Sequence, residues 1–390
     1  MASVSIADSA PLPTARRTLA LAGLSHALHD GYTDAIYILL PLWQSEFALG
    51  YGALALLRAL NTGTMAVLQI PAGRIAARFG GRAILALGTG IAAVGYALAG
   101  SSGGLAGLAA ALALSGAGSS AQHPLASAAV ARSYGAKARG PLGTYNFAGD
   151  LGKAALPALL SLLLVVMSWR RAVGLLAVLG ILVALAIMRY MPKFARAERA
   201  AEVPASGAGR GGFALLFAIG VLDTGVRMGF LMFLPFLLRE KAAPMPIVGL
   251  ALSLVFLGGA AGKFICGWLG ARLGLLAVVL ATELGTACAI AAVILLPLSA
   301  ALVVLPILGV MLNGTSSVLY GSVPELALPG RTEHAFALFY TGTIGSGALS
   351  PIAYGFIGDW AGPDWGAAAA AAAAVLTCPL ALVLAPRLRA

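Results

Sequence analysis

Charged residues are scarce in this 390-residue chain, at 10%, where soluble domains carry roughly a quarter. That shortage excludes an ordinary solvated globule and makes each charge inside an apolar run informative. Cysteine is nearly missing: Cys266, Cys288 and Cys378 are the only three, all in apolar stretches. They offer neither a paired framework nor a ligand-spaced cluster, which argues against disulfides and a cysteine metal site. No His-Glu-x-x-His occurs, and no phosphate-cradling glycine loop leads into a basic residue. The sequence therefore predicts no enzyme, no ATP-driven pump and no cofactor. The net charge of +11 could suggest nucleic acid as a partner, but the basic residues lie in loops beside apolar runs. Orientation in a bilayer accounts for them better.

What the chain does have is hydrophobicity: 60% apolar residues and a mean hydropathy of +0.94. Twelve runs approach or exceed the ~20 residues needed to cross a hydrocarbon core. They fall near 18–42, 52–72, 83–101, 105–131, 140–166, 171–190, 213–238, 247–270, 274–297, 300–323, 333–358 and 366–386. Lipid-facing irregular backbone is excluded, so the runs are expected to be helices. The expected fold class is an all-α membrane protein with the lipid bilayer as its main partner, present as a monomer. The run that begins after Arg16 continues to about Trp43, longer than a signal segment, and is expected to be retained.

Basic residues set the orientation. Of the 25 Lys and Arg, four lie within runs (Arg58, Lys153, Arg227, Lys263) and four in loops on one side (Arg170, Arg171, Arg239, Lys241). The other seventeen fall on the side of the termini, a bias that predicts both termini in the cytoplasm. The expected organisation is a tail at 1–17, a six-helix bundle at 18–190, a cytoplasmic linker rich in Pro, Gly, Ser and charge at 191–212, a second bundle at 213–386, and a tail at 387–390.

The two bundles repeat. A shift of 194 residues places Pro41 on Pro235, Pro157 on Pro351, and Gly73–Gly80 (GRIAARFG) on Gly267–Gly274 (GWLGARLG). A shift of 197 sets Ser119 and Ser120 on Ser316 and Ser317. Parallel six-helix repeats related by an axis along the membrane normal are a transporter architecture.

GRIAARFGGR, residues 73–82, resembles the loop motif G-x-x-x-D-R-x-G-R-R of the major facilitator superfamily. The stretches 25–57, 116–132 and 145–160 resemble that superfamily's fosmidomycin-resistance branch of proton-coupled drug exporters, whose patterns are S-H-x-x-N-D, G-x-G-S-S-x-x-H-P and G-G-N-x-G-x-x-x-G-P. The chain departs from them: His29 and Asp150 stand for Asn, Lys153 for a small residue, and Leu156 for the Gly before Pro157. Ala77 and Ala271 replace the loop acid that latches the outward-facing state in the family. The resemblance implies a multi-pass protein of a bacterial-type inner membrane with the major facilitator fold, two pseudo-symmetric six-helix bundles that rock about a central site. It implies Gly73, Arg78, Gly80, Gly267, Arg272, Gly274, Pro157 and Pro351 as gating positions.

The first run, 24–43, carries His26, His29, Asp30 and Asp34 on one broad helical face. Ionisable groups in a membrane span are functional by default. Asp30, then Asp34, is expected to carry a coupling proton, with His26 and His29 as relays. Asp30 and Asp34 have no base on their own helix and are expected to seek Arg58 or Lys263. Asp150 with Lys153 (i,i+3) and Asp223 with Arg227 (i,i+4) are spaced to pair on one face. Arg58 is placed near the outer third, where it snorkels or pairs with the first span. Asn61 lies one turn from it. Arg227, Lys263 and Lys153 are candidates to hold an anionic substrate. Gln122, His123, Asn146, Asn313, Ser316 and Tyr320 are candidate wall residues. Glu283, on a peripheral span, reads as structural. The leading expectation is proton-coupled export of a small amphipathic or anionic, drug-like compound. The alternatives are uptake of an organic anion or metabolite, or carriage of a divalent metal by the His and Asp cluster.

Overall fold

A computed structural model describes residues 13–194, 212–327 and 332–388, so most of the linker at 191–212 and the outer residues of both tails lie outside the described residues. The first half runs α1 (Pro13–Phe47), α2 (Tyr51–Phe79), α3 (Gly81–Ser101), α4 (Leu105–Ser119), α5 (Gln122–Tyr134), α6 (Arg139–Val166) and α7 (Trp169–Tyr190). The second runs α8 (Phe213–Glu240), α9 (Met245–Leu295), α10 (Leu298–Leu326), α11 (Thr332–Ala361) and α12 (Pro363–Leu388). Among the described residues, eight helices are long and apolar enough to cross a membrane by length and composition alone. Their backbone amides are satisfied within each helix, which is why sequences this apolar fold as helices.

One boundary differs from the runs read in the sequence. The run at 105–131 is broken into α4 and α5 at Ser120–Ala121. Pro124 supplies no amide and its ring crowds the carbonyl four residues back, which is Ser120. The runs at 247–270 and 274–297 are the two arms of α9, separated by the non-helical backbone of Gly274 at φ 80°. With α4 and α5 taken together and α9 as two arms, the helical order matches the expected twelve.

The repeat is visible in the backbone. Gly274 corresponds to Gly80, which turns α2 into α3 at φ 90°. Ala48 and Ala242, also 194 residues apart, both adopt positive φ, 50° and 60°, in the turns that follow α1 and α8.

The halves meet along α2 with α11 and α6 with α9. Contact is tight at the end of the molecule away from the termini, called the distal end here. There Ser253 Oγ donates to the Ala154 carbonyl at 2.7 Å, and Gly249 lies against the Pro157 carbonyl. Tyr51 wedges between Phe233 and Phe236 of α8 at ring distances of 5.5 and 4.9 Å. Asp359 of α11 accepts the Tyr51 and Gly52 amides at 2.5 and 3.0 Å. At the termini end the halves stand apart. Val67 and Ile70 of α2 are 74% and 69% exposed, and a Cβ built at Gly73, Gly80 or Gly274 would meet nothing within 4 Å. The molecule is sealed distally and open toward its termini.

Candidate functional site

The site lies where α1, α5, α6 and α9 converge at mid-depth. Asp30 of α1 is its centre. Lys153 Nζ of α6 is 3.2 Å from Asp30 Oδ2, His26 Nε2 is 3.3 Å from the same oxygen, and His123 Nε2 of α5 is 3.5 Å from Oδ1. This approach needs a thin α6. A Cβ at Gly149 would lie 2.9 Å from Asp30 Oδ2 and 2.7 Å from the His26 ring, and Gly152 sits directly on the Ala27 backbone. Side-chain accessibilities of 39% for His123 and 37% for Lys263 show that the cluster is open to solvent, while Asp30 keeps 11%.

His26 is oriented by its other nitrogen. Nδ1 lies 2.9 Å from the Tyr145 carbonyl and so must carry the hydrogen, and the imidazole stacks on the Tyr145 ring at 4.2 Å. Neutral His26 therefore turns the lone pair of Nε2 toward a carboxylate oxygen. Two lone pairs at 3.3 Å are reconciled by a proton on one of the two groups. Gln122 fixes Tyr145 from behind by donating to its hydroxyl at 3.1 Å. Tyr145 was not among the residues singled out in the sequence; its position in the run YNFAGD gave no more signal than any aromatic in a span.

His29 is elsewhere. Thr89 Oγ1 donates to the Leu85 carbonyl, so it accepts from His29 Nε2 at 3.0 Å, and His29 Nδ1 accepts from Ser119 Oγ at 2.9 Å. The ring is satisfied between α3 and α4 and points away from Asp30's carboxyl. Asp34 is buried and makes no ion pair or hydrogen bond among the described residues.

The expected same-helix pairs form differently. Asp150 takes Lys263 of α9 through both oxygens, at 2.6 and 2.7 Å, while Lys153 stands 3.8 Å from it. The i,i+3 spacing leaves Lys153 free to turn, and the closer approach of α1 draws it to Asp30. Arg227 does not pair with Asp223 either; it donates to Asn313 Oδ1 at 3.3 Å, and Asn313 in turn donates to the Gly309 carbonyl. Asp223 instead meets Glu283, the residue read as structural. Arg58 neither snorkels nor reaches a carboxylate. It is 2% exposed, sits 4.7 Å over the Tyr37 ring, and donates across the seam to the Gly347 carbonyl and Met228 Sδ at 3.3 and 3.4 Å.

The remaining candidates divide in the same way. Asn61 donates to the Leu112 carbonyl and ties α2 to α4. Ser316 bonds back to the Asn313 carbonyl, Tyr320 meets Thr343 at 3.2 Å, and Asn146 is exposed. Arg78 lies over Phe79 and Arg272 over Trp268, each on an aromatic ring of its own half. Pro157 and Pro351 sit inside α6 and α11.

His26, Asp30 and His123 could also converge on a cation, their ligand atoms lying within 4.8 Å of one another. The Lys153 ammonium already lies against Asp30, and a divalent ion there would have to displace it.

The Major Facilitator Superfamily profile matches residues 21–216. Solved structures share the fold over the whole chain. A bacterial homologue of the human lysosomal transporter Spinster, inward-facing and occupied, aligns at 16% identity and TM-score 0.79, covering 96% of this chain and 97% of that one. A POT family transporter in complex with a thioalcohol-conjugated peptide aligns at 13% identity and TM-score 0.77, covering 95% and 96%. The nucleoside transporter NupG aligns at 14% identity and TM-score 0.74, covering 96% and 99%. No curated protein matches the chain by sequence.

Proposed function

The chain belongs to the Major Facilitator Superfamily, a membrane transporter and not an enzyme, and from that premise we propose that it carries a small anionic organic compound with Asp30 as its proton carrier. The observation that carries this reading is the shared hold of Asp30 on Lys153 at 3.2 Å and on His26 at 3.3 Å. A carboxylate in that place neutralises Lys153. Protonating Asp30 removes the counter-charge and leaves an uncompensated ammonium in a partly desolvated site, where it attracts an anion. His26, with its lone pair already aimed at Asp30, is the relay, and His123 faces the open side. Lys263 and Arg227 stand on the opposite half to take the other end of the substrate, Arg227 with a planar fork suited to a carboxylate or phosphonate.

This coupling loads proton and anion into one state. It favours cotransport over the exchange implied by the resemblance to drug exporters. The basic bias supports termini in the cytoplasm; on that reading the open end faces inward, and alternation opens the distal seal while the loops around Gly73–Arg82 and Gly267–Gly274 close. A divalent-metal carrier is the weaker reading because Lys153 stands in the cation's place.

Purified protein in liposomes, assayed for counterflow of a panel of small organic anions with and without a pH gradient, tests the proposal. An acidic exterior should drive accumulation of a transported anion. Asp30→Asn should abolish that response while leaving counterflow. Full pH-driven accumulation by Asp30→Asn would overturn the assignment and turn attention to Asp34.

A further inference from the structure

Glu283 has no role in the site described, yet it is turned into the second half rather than toward lipid. On the second arm of α9 it is 2% exposed, and its carboxyl lies against that of Asp223 on α8, which is 4% exposed. Two carboxyl groups buried side by side share a proton, because two like charges that close cannot both ionise. Thr315 of α10 and Thr377 of α12 stand beside the pair, but their hydroxyls donate to Thr282 Oγ1 and to the Ala374 carbonyl, each at 2.6 Å.

The charged surroundings do not neutralise two carboxylates. Arg227, one turn along α8, is the only base facing the pair, and neither acid has an ion pair within 4.0 Å among the described residues. Tyr320 of α10 and Cys378 of α12 are the other titratable neighbours, and neither supplies positive charge. Asp223 Oδ2 and Arg227 Nε are both buried without a hydrogen-bond partner. They are two unmet halves of an ion pair on one helix face.

The internal repeat gives an independent reason to attend to this place. Asp223 and Glu283 lie 194 residues after His29 and Thr89. In the first half that position joins the first and third passes through a neutral, fully satisfied imidazole. In the second half the same link is made by two acids. A structural link needs no charge, as the first half demonstrates.

We propose that Asp223 and Glu283 hold one proton between them as a second proton-carrying site, with Arg227 as the counter-ion that replaces it. The proposal rests on the proton-coupled reading above. Loss of the proton leaves both carboxyls charged, and Arg227 swings one turn back from Asn313 to take the proton's place, so that the pair keeps its net charge of −1. Return of the proton releases Arg227 to Asn313 and to the substrate. The proton moves between Asp223 and water in the open cavity, and no other group changes bonding.

Infrared difference spectroscopy of the full-length protein in liposomes tests this with the proton as its own probe. At neutral pH the wild type should show a protonated-carboxyl band that shifts in heavy water. Glu283→Gln should lose one carboxyl equivalent, because Asp223 then ionises against Arg227. Asp223→Asn should move the band, since Glu283 keeps its proton beside an amide. The double variant should lack it. Superimposable wild-type and double-variant spectra in that region would overturn the proposal. If Glu283→Gln does not fold, Asp223→Asn carries the test alone, and an unmoved band there overturns it. Asp30→Asn recorded alongside separates the two ideas: a change with Asp30→Asn and none with the pair removes the second site and leaves the first standing. Changes with the pair and none with Asp30→Asn support the second site and agree with an Asp30 that is ionised against Lys153, whose own test is the pH-driven accumulation above.

Discussion

The distal seal contains a contact whose worth can be worked out and tested. Helix α2 starts at Tyr51 with Gly50 as its cap residue, and no local side chain accepts its first amides. Asp359 does so from the other half, at 2.5 and 3.0 Å from the Tyr51 and Gly52 nitrogens. An N-cap acceptor replaced by Ala costs about 1 kcal/mol, and a carboxylate at a helix N-terminus adds roughly 0.3–1 kcal/mol through the helix dipole. Asp359 is exposed, so the lower part of the sum applies, about 1–1.5 kcal/mol. Because donor and acceptor belong to different halves, the whole amount is available only when the distal end is closed. Removing it should therefore shift the closed-to-open ratio by about 5- to 12-fold, each 1.4 kcal/mol being a factor of ten. Spin labels on Gly103 and Ser299, in a background freed of the three native cysteines, would report the separation of the halves there. Asp359→Ala should raise the long-distance population, and Asp359→Asn, which keeps one acceptor, should raise it less. An unchanged distance distribution in Asp359→Ala would show that the aromatic wedge of Tyr51, Phe233 and Phe236 closes this end unaided.

Three further outcomes are expected. Asp150→Asn should lower thermal stability, because it leaves Lys263 without its partner, whereas Asp150→Asn with Lys263→Met should recover much of the loss; a double-mutant cycle should return a coupling of roughly 1–3 kcal/mol, and purely additive effects would deny the pair any energetic role. Ala77→Asp restores an acid to the loop at the termini end and should shift the same spin-label distances outward, as Asp359→Ala does; no shift would mean that this loop does not latch. Glu46, at the distal end of α1, is held below the ordinary carboxyl range by its hydrogen bond to Arg170 and then by that to Trp169. A depressed folded-state value means its contribution is present above about pH 4.3, the ordinary Glu value, and is lost as the pH falls further. The wild-type melting temperature should therefore drop below that pH more steeply than that of Glu46→Gln, and parallel curves would count against the contact.

Much of the fold was legible because its determinants are local. Apolar runs of spanning length, and landmarks such as Pro41 and Pro235 at one offset, are properties of the chain itself. The break near Pro124 was blurred because helix ends depend on a few dihedral angles. The site was legible as a set of residues but not as a set of partners. Spacing of i,i+3 says that Asp150 and Lys153 share a face; it does not say that Lys263 approaches from another half, nor that the glycines of α6 let α1 come close enough for Asp30 to take Lys153. The neighbour of Glu283 was hidden for the same reason. A peripheral span can still direct one residue inward, and only the rotation of the helix tells which. Asp359 capping a helix some 300 residues away left no local trace, since capping motifs are read from neighbours in sequence.

Ala48 and Ala242 offer a practical handle. Each holds a left-handed backbone, φ 50° and 60°, which for a residue with a Cβ is unfavourable by about 1–2 kcal/mol. Glycine would relieve most of that and give back roughly 0.5–1 kcal/mol in chain entropy, leaving a modest net gain at each turn. Duplication has put the same flaw in both halves, so correcting both at once should harden the protein against heat and detergent without favouring either end of its cycle. A preparation altered in this way would keep its natural balance of conformations and survive the long measurements that membrane transport demands.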